Sequence, residues 1–180
     1  MTEVRKLPLN TRAFDQYQRV KRWFERFKAI NEGSTKDIDI QQQYDDVLAF
    51  FMNCYHLKDW LIKEDEFSTE WRKTVEQYIS INECLQLCAD IANGTKHFSP
   101  GNIPTRSGQQ SELQPHVFPH LKDGILVGAI MKFYLVLDNG ESIDAFNLAA
   151  DCMKKWEDFM TTHKIFEKHK KFIDDKLSEK

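Results

Sequence analysis

Glu83–Phe98, ECLQLCADIANGTKHF, is the stretch whose reading decides the fold. At about 100° per residue, Glu83, Gln86, Asp90, Asn93 and His97 fall within roughly 80° of one another. Leu85, Leu87, Cys84, Cys88, Ile91 and Ala92 occupy the rest of the circumference. A helix apolar over most of its girth is buried, so its polar stripe must face a wet cleft, a partner chain or polar groups on another helix. Asn93-Gly94 qualifies the reading. A glycine so near the end can be a C-terminal cap, and a helix that stops there takes His97 out of the stripe.

Working outward, long amphipathic patterns flank this helix. Phe14, Tyr17, Val20, Phe24, Phe27 and Ile30 recur every three or four residues and predict a first helix to about Asn31, capped by Asn10 or Thr11 and stopped near Gly33. A second, central helix is predicted from Asp37 or Asp39 to about Lys63, lined by Tyr44, Val47, Leu48, Phe51, Cys54, Tyr55 and Leu61. It holds YHLKDW, in which His56, Asp59 and Lys63 stand at i, i+3 and i+7, the spacing that Asp90, Asn93 and His97 repeat. Ser68 or Thr69 caps a short third helix with Trp71, Val75, Tyr78 and Ile79 inward.

Phe98–Gly124 holds four of the chain's five prolines and reads as a loop, mobile over 99–123 and placed to cover a cleft beside His97. Ile125–Leu137 is the strand signal, Asp138-Asn139-Gly140 a hairpin turn and Glu141–Ile143 a short return strand. Ser142 or Asp144 then caps a last long helix with Ala145, Leu148, Ala149, Cys152, Met153, Trp156, Phe159, Met160 and Phe166 inward. The basic tail, 164–180, frays. The expected fold is a mainly α bundle of about five helices with one β-hairpin before the last long helix, a single domain over 1–180.

Composition sets limits. At 180 residues with 41% hydrophobic and 12% aromatic content, the chain can bury about 70% of its unfolded surface in one core. The N-terminus lacks the apolar core of an export signal and no run is long enough to span a bilayer, which reads as a cytoplasmic protein with no membrane partner. The four cysteines each sit in an apolar helical pattern and read as reduced core thiols. A metal set from Cys84, Cys88 and His97, with Cys54 or His56, lacks a CxxC knuckle, and helical geometry turns both cysteines away from His97; no metal or cofactor is expected. Net charge is −3 overall, yet residues 1–30 carry +5 and residues 31–90 carry −8. A basic first helix either tracks phosphates or pairs with an acidic neighbour.

HLKDW on one helix, D-I-A-N-G-T-K-H on another, and a late hairpin leading to a Trp-containing helix resemble small bacterial proteins of the HEPN superfamily (higher eukaryotes and prokaryotes nucleotide-binding). The resemblance covers Tyr44 to Phe98 and, beyond that, only the order of elements. It implies a helical bundle, a two-fold homodimer, and either a metal-independent ribonuclease of a toxin–antitoxin or phage-defence system or a catalytically dead binder of RNA or of a protein partner such as an antitoxin. The family's active members place an Arg four to six residues before the His; here those positions hold no Arg. What the resemblance implies for the site is His97 as acid/base, Asn93 orienting, Lys96 stabilising phosphorane charge, Asp90 beside them, and His56, Asp59 and Lys63 as binding residues. The alternative, with no catalysis, is a buried polar network joining His97, Asp90 and Asn93 to His56 and Asp59, in a protein–protein interaction or dimerisation module.

Overall fold

The computed structural model describes residues 12–33, 39–65, 68–94 and 105–178. Among the described residues, six helices and a three-stranded antiparallel sheet follow in the order α1 (Ala13–Asn31), α2 (Ile40–Lys63), α3 (Thr69–Ser80), α4 (Glu83–Gly94), β1 (Ser111–Lys122), β2 (Ile125–Leu137), β3 (Ser142–Asp144), α5 (Ala145–Thr162) and α6 (Ile165–Ser178). The fold is mainly helical, as the periodicities require.

The helix starts follow from local chemistry. The Asp39 carboxylate accepts from the backbone N–H of Gln41 and Gln42 at 2.9 and 3.1 Å, Ser68 Oγ from Trp71 N–H at 3.0 Å, and Asp144 from Phe146 and Asn147 at 2.9 Å each. Each satisfies donors that a helix leaves open in its first turn. The sequence candidates for the α1 cap, Asn10 and Thr11, lie outside the described residues. The tertiary structure supplies a cap from elsewhere: the buried Glu64 carboxylate, at the end of α2, accepts from Ala13 N–H at 2.8 Å and pairs with the Arg12 guanidinium. Arg26 likewise stands 3.7 Å from Asp46, so at these two points the basic face of α1 meets acidic groups of the α2 region.

The core is one aromatic-rich cluster in which Phe27, Phe50, Phe51, Leu57, Leu61, Leu135, Trp156 and Phe159 are almost wholly enclosed. Phe27 reaches both Phe133 of β2 and Phe146 of α5, at ring centroid distances of 6.2 and 5.4 Å. Sheet and helices therefore share a single interior.

Three features differ from the sequence reading. First, β1 occupies 111–122, inside the stretch read as a loop, and pairs with β2 along its whole length. The missed signal is Asp123-Gly124, with φ of 53° and 77°, a two-residue left-handed turn of the kind that closes tight hairpins. Pro115 and Pro119 argue against a central strand but are allowed on an edge strand, where the missing N–H faces away from the partner; β1 is such an edge. The hairpin expected from β2 and β3 is thus part of a sheet ordered β1-β2-β3. Second, α5 ends at His163 and Lys164, the latter at φ 57°, so Phe166 belongs to a sixth helix. Third, that helix lies where a fraying tail was expected and packs on α1: Phe166 meets Phe14 at 6.0 Å, His169 stacks on Phe14 at 4.2 Å, and Arg12 sits 4.9 Å over the Phe172 ring.

Candidate functional site

The stripe on α4 changes environment along its length. Glu83 is exposed, Gln86 and Asn93 are half-buried, and Asp90 is buried at 8% exposure. Its cover is the turn that leads into β1. Arg106 N–H donates to one Asp90 oxygen at 2.6 Å and Ser107 N–H to the other at 2.9 Å. The carboxylate thus acts as a bidentate clamp on a backbone turn 16 residues downstream. Those two bonds occupy the group that the sequence reading placed beside an acid/base. His97 and Lys96 lie outside the described residues.

The same turn delivers a cation. Arg106 donates to Glu76 of α3 at 2.9 Å, Lys58 of α2 stands 3.4 Å from Glu76 and 3.3 Å from Asp59, and both cations approach the Tyr55 ring, at 5.5 and 5.1 Å. Burial pushes the Glu76 carboxyl up, but the Arg106 hydrogen bond and the Lys58 charge outweigh it and hold the group below the usual carboxylate range. Burial pulls Lys58 down, and the charges of Tyr55, Asp59 and Glu76 reverse that and raise it. Asp59 therefore joins a ladder of alternating charges. Lys63 is exposed at the end of α2, and His56 is half-buried beside Tyr55 with the rings 6.4 Å apart. Lys58, Glu76 and Arg106 went unnamed in the sequence because they lie on three separate elements with no motif spacing between them.

A second assembly lies on the sheet. β1 and β2 are apolar on one face at rung after rung: Leu113–Leu135, Pro115–Phe133, Val117–Met131, Pro119–Ala129 and, past an irregularity near Val127, Leu121–Leu126. On β1 the face is covered only as far as Leu113, 7% exposed, and on β2 as far as Met131, 3% exposed. Val117, across from Met131, and Leu121 and Leu126 farther out are 56, 58 and 65% exposed. Phe118, Ile125 and Val127 are exposed around the same tip, and a Cβ added at Gly124 or Gly128 would meet nothing.

A third lies in the core. The thiols of Cys54 (α2), Cys88 (α4) and Cys152 (α5) lie within 4.8 Å of one another, all essentially enclosed. Cys88 donates to Phe51 O at 3.5 Å and Cys152 to Cys84 O at 3.2 Å. Trp156, 1% exposed and beside Cys54, has an Nε1–H with no hydrogen-bond partner among the described residues. Burial pushes the Cys54 thiol up, yet the polar groups of Cys152, Cys88 and Trp156 beside it outweigh that and hold it below the ordinary thiol range; burial raises Cys88 and Cys152.

No family profile, curated protein or solved structure matches the chain. No described helix is long and apolar enough to cross a membrane.

Proposed function

We propose that the chain is a non-catalytic interaction module that self-associates through the β1–β2 ribbon. The observation that carries the reading is the apolar face that continues, rung by rung, past the helices that cover it. A two-stranded ribbon alone in water is marginal, and an apolar patch of this kind marks a contact surface. On that one face Val117, Leu121 and Leu126 offer roughly 300 Å² per chain, so two ribbons packed face to face remove on the order of 600 Å² from these side chains, with Pro119 and Ala129 adding to it, the range of a weak, concentration-dependent contact. The free edge of β1 is a poor template for strand addition, because Pro115 and Pro119 carry no N–H. Face-to-face packing of two identical ribbons is what remains, and it is self-complementary under a two-fold axis.

Sedimentation over a concentration series tests this. The native chain is expected to dimerise, and Leu121→Asp with Leu126→Asp to give a folded monomer, since both side chains are already exposed in the single chain. A native chain that stays at 21.3 kDa up to its solubility limit, or a dimer indifferent to both substitutions, refutes the proposal.

A second reading, action on RNA in the manner the HEPN resemblance implies, draws on Arg106. It brings a guanidinium to the turn clamped by Asp90, where the stripe itself has none. A bound phosphate would have to displace Glu76 from both Arg106 and Lys58. Cleavage of total RNA in EDTA that is lost in His97→Ala supports this reading; equal cleavage by both proteins, or by neither, removes the nuclease.

A further inference from the structure

We propose that Cys54, Cys88 and Cys152 form a thiolate site for one soft d¹⁰ cation, zinc(II) or copper(I). Buried cysteine is ordinarily a small apolar filler, and that accounts for each thiol separately. It does not account for three sulfurs, from three different helices, meeting within 4.8 Å. Nor does it account for the enclosed indole N–H of Trp156, beside Cys54, which has no hydrogen-bond partner among the described residues; indole N–H groups normally find a partner when buried. A sulfur carrying negative charge is the acceptor this donor lacks.

The donor set selects the ion class. Three sulfurs with no carboxylate or imidazole among them suit thiophilic ions and exclude magnesium and calcium, which take oxygen. Metal–sulfur bonds of about 2.3 Å put coordinated sulfurs roughly 3.8–4.0 Å apart. Sulfurs already within 4.8 Å reach that spacing by side-chain rotation. Cys84 decides between the two ions. It stands one turn before Cys88, is half-buried, and lies in hydrogen-bond range of Cys152. A tetrahedral zinc recruits Cys84 as its fourth ligand, whereas a trigonal copper(I) leaves it out. Each thiol that coordinates loses its proton to solvent as the metal–sulfur bond forms, so binding tightens as pH rises.

The test uses the full chain, reduced and free of oxygen, titrated with zinc(II) or copper(I) against a chromophoric chelator of each. One equivalent per chain is expected to leave the chelator and appear as added mass in native mass spectrometry. The loaded protein should melt higher and gain ultraviolet thiolate-to-metal absorption. Cys54→Ala is expected to abolish binding. Cys84→Ser is expected to weaken zinc(II) at least tenfold and leave copper(I) unchanged. Folded native protein that takes neither ion overturns the proposal, as does stoichiometric binding that brings no ultraviolet thiolate-to-metal absorption. Both readouts come from the native chain, so they stand even if a cysteine variant fails to fold.

Discussion

Asp90→Ala separates a structural carboxylate from a catalytic one. The native carboxylate is 8% exposed and takes one backbone N–H on each oxygen, at 2.6 and 2.9 Å. Hydrogen bonds to a charged acceptor contribute about 1.5–3 kcal/mol each, and a buried donor left without a partner costs about 1–3 kcal/mol. Arg106 and Ser107 are half-buried, so water recovers part of that loss once the turn loosens. The expected destabilisation is therefore about 3–4 kcal/mol, or roughly 6–16 °C in melting temperature for a chain of this size. Asp90→Asn keeps one acceptor and turns an N–H toward the other donor, and it should cost about half as much. Equilibrium urea unfolding measures both variants, with the slope unchanged from the native chain. A loss below about 1 kcal/mol for the alanine variant would refute the clamp and return Asp90 to the pool of groups free to act on a substrate.

Gly33 follows α1 at φ +68°, and an added Cβ would fall 2.6 Å from Ile130 Cγ1. Gly33→Ala should cost about 2–4 kcal/mol, from left-handed backbone and overpacking together; in a double-mutant cycle with Ile130→Ala a coupling above about 1 kcal/mol is expected, and additivity would show that the two positions do not meet. His163 closes α5 against Phe159 and Trp71, at ring distances of 4.3 and 5.1 Å, and burial, followed by the Lys168 charge, lowers its pKa from 6.5. The unfolded chain then binds the proton more readily, so the contribution of His163 is fully present above pH 6.5 and is lost as pH falls through the lower folded-state value. Stability measured between pH 8 and pH 5 should decline less in His163→Gln than in the native chain, and identical profiles would count against it.

What was legible in the sequence was whatever is decided within one turn of chain. The start of α2 at Asp39 and the caps at Ser68 and Asp144 are set by side chains that reach only two or three residues. Breaks without such a marker went unseen: Lys164 takes a left-handed conformation that its neighbours give no reason to expect. β1 was hidden by a conflict between signals, two prolines that weaken a strand against an Asp123-Gly124 turn that demands one. Proline forbids only the inward N–H of a paired residue, so the turn was the stronger evidence and the strand moved to the edge.

The sites were legible only in halves, and the reason is the same in each. Helical phase shows that Cys54, Cys88 and Cys152 point inward; it cannot show that they stand at one height, because height depends on how α2, α4 and α5 slide against one another. Phase also shows that Asp90 needs a polar neighbour, without showing that this neighbour is the backbone of Arg106 and Ser107. The ribbon is the reverse case. Its alternation of apolar side chains is local and complete, yet only the tertiary structure reveals that the helices stop covering it beyond Leu113 on β1 and Met131 on β2. An apolar face longer than the body that shelters it costs solubility in a single copy. Nothing in the core needs Leu121 or Leu126, so the fold alone does not explain their hydrophobicity; a second surface that removes them from water does.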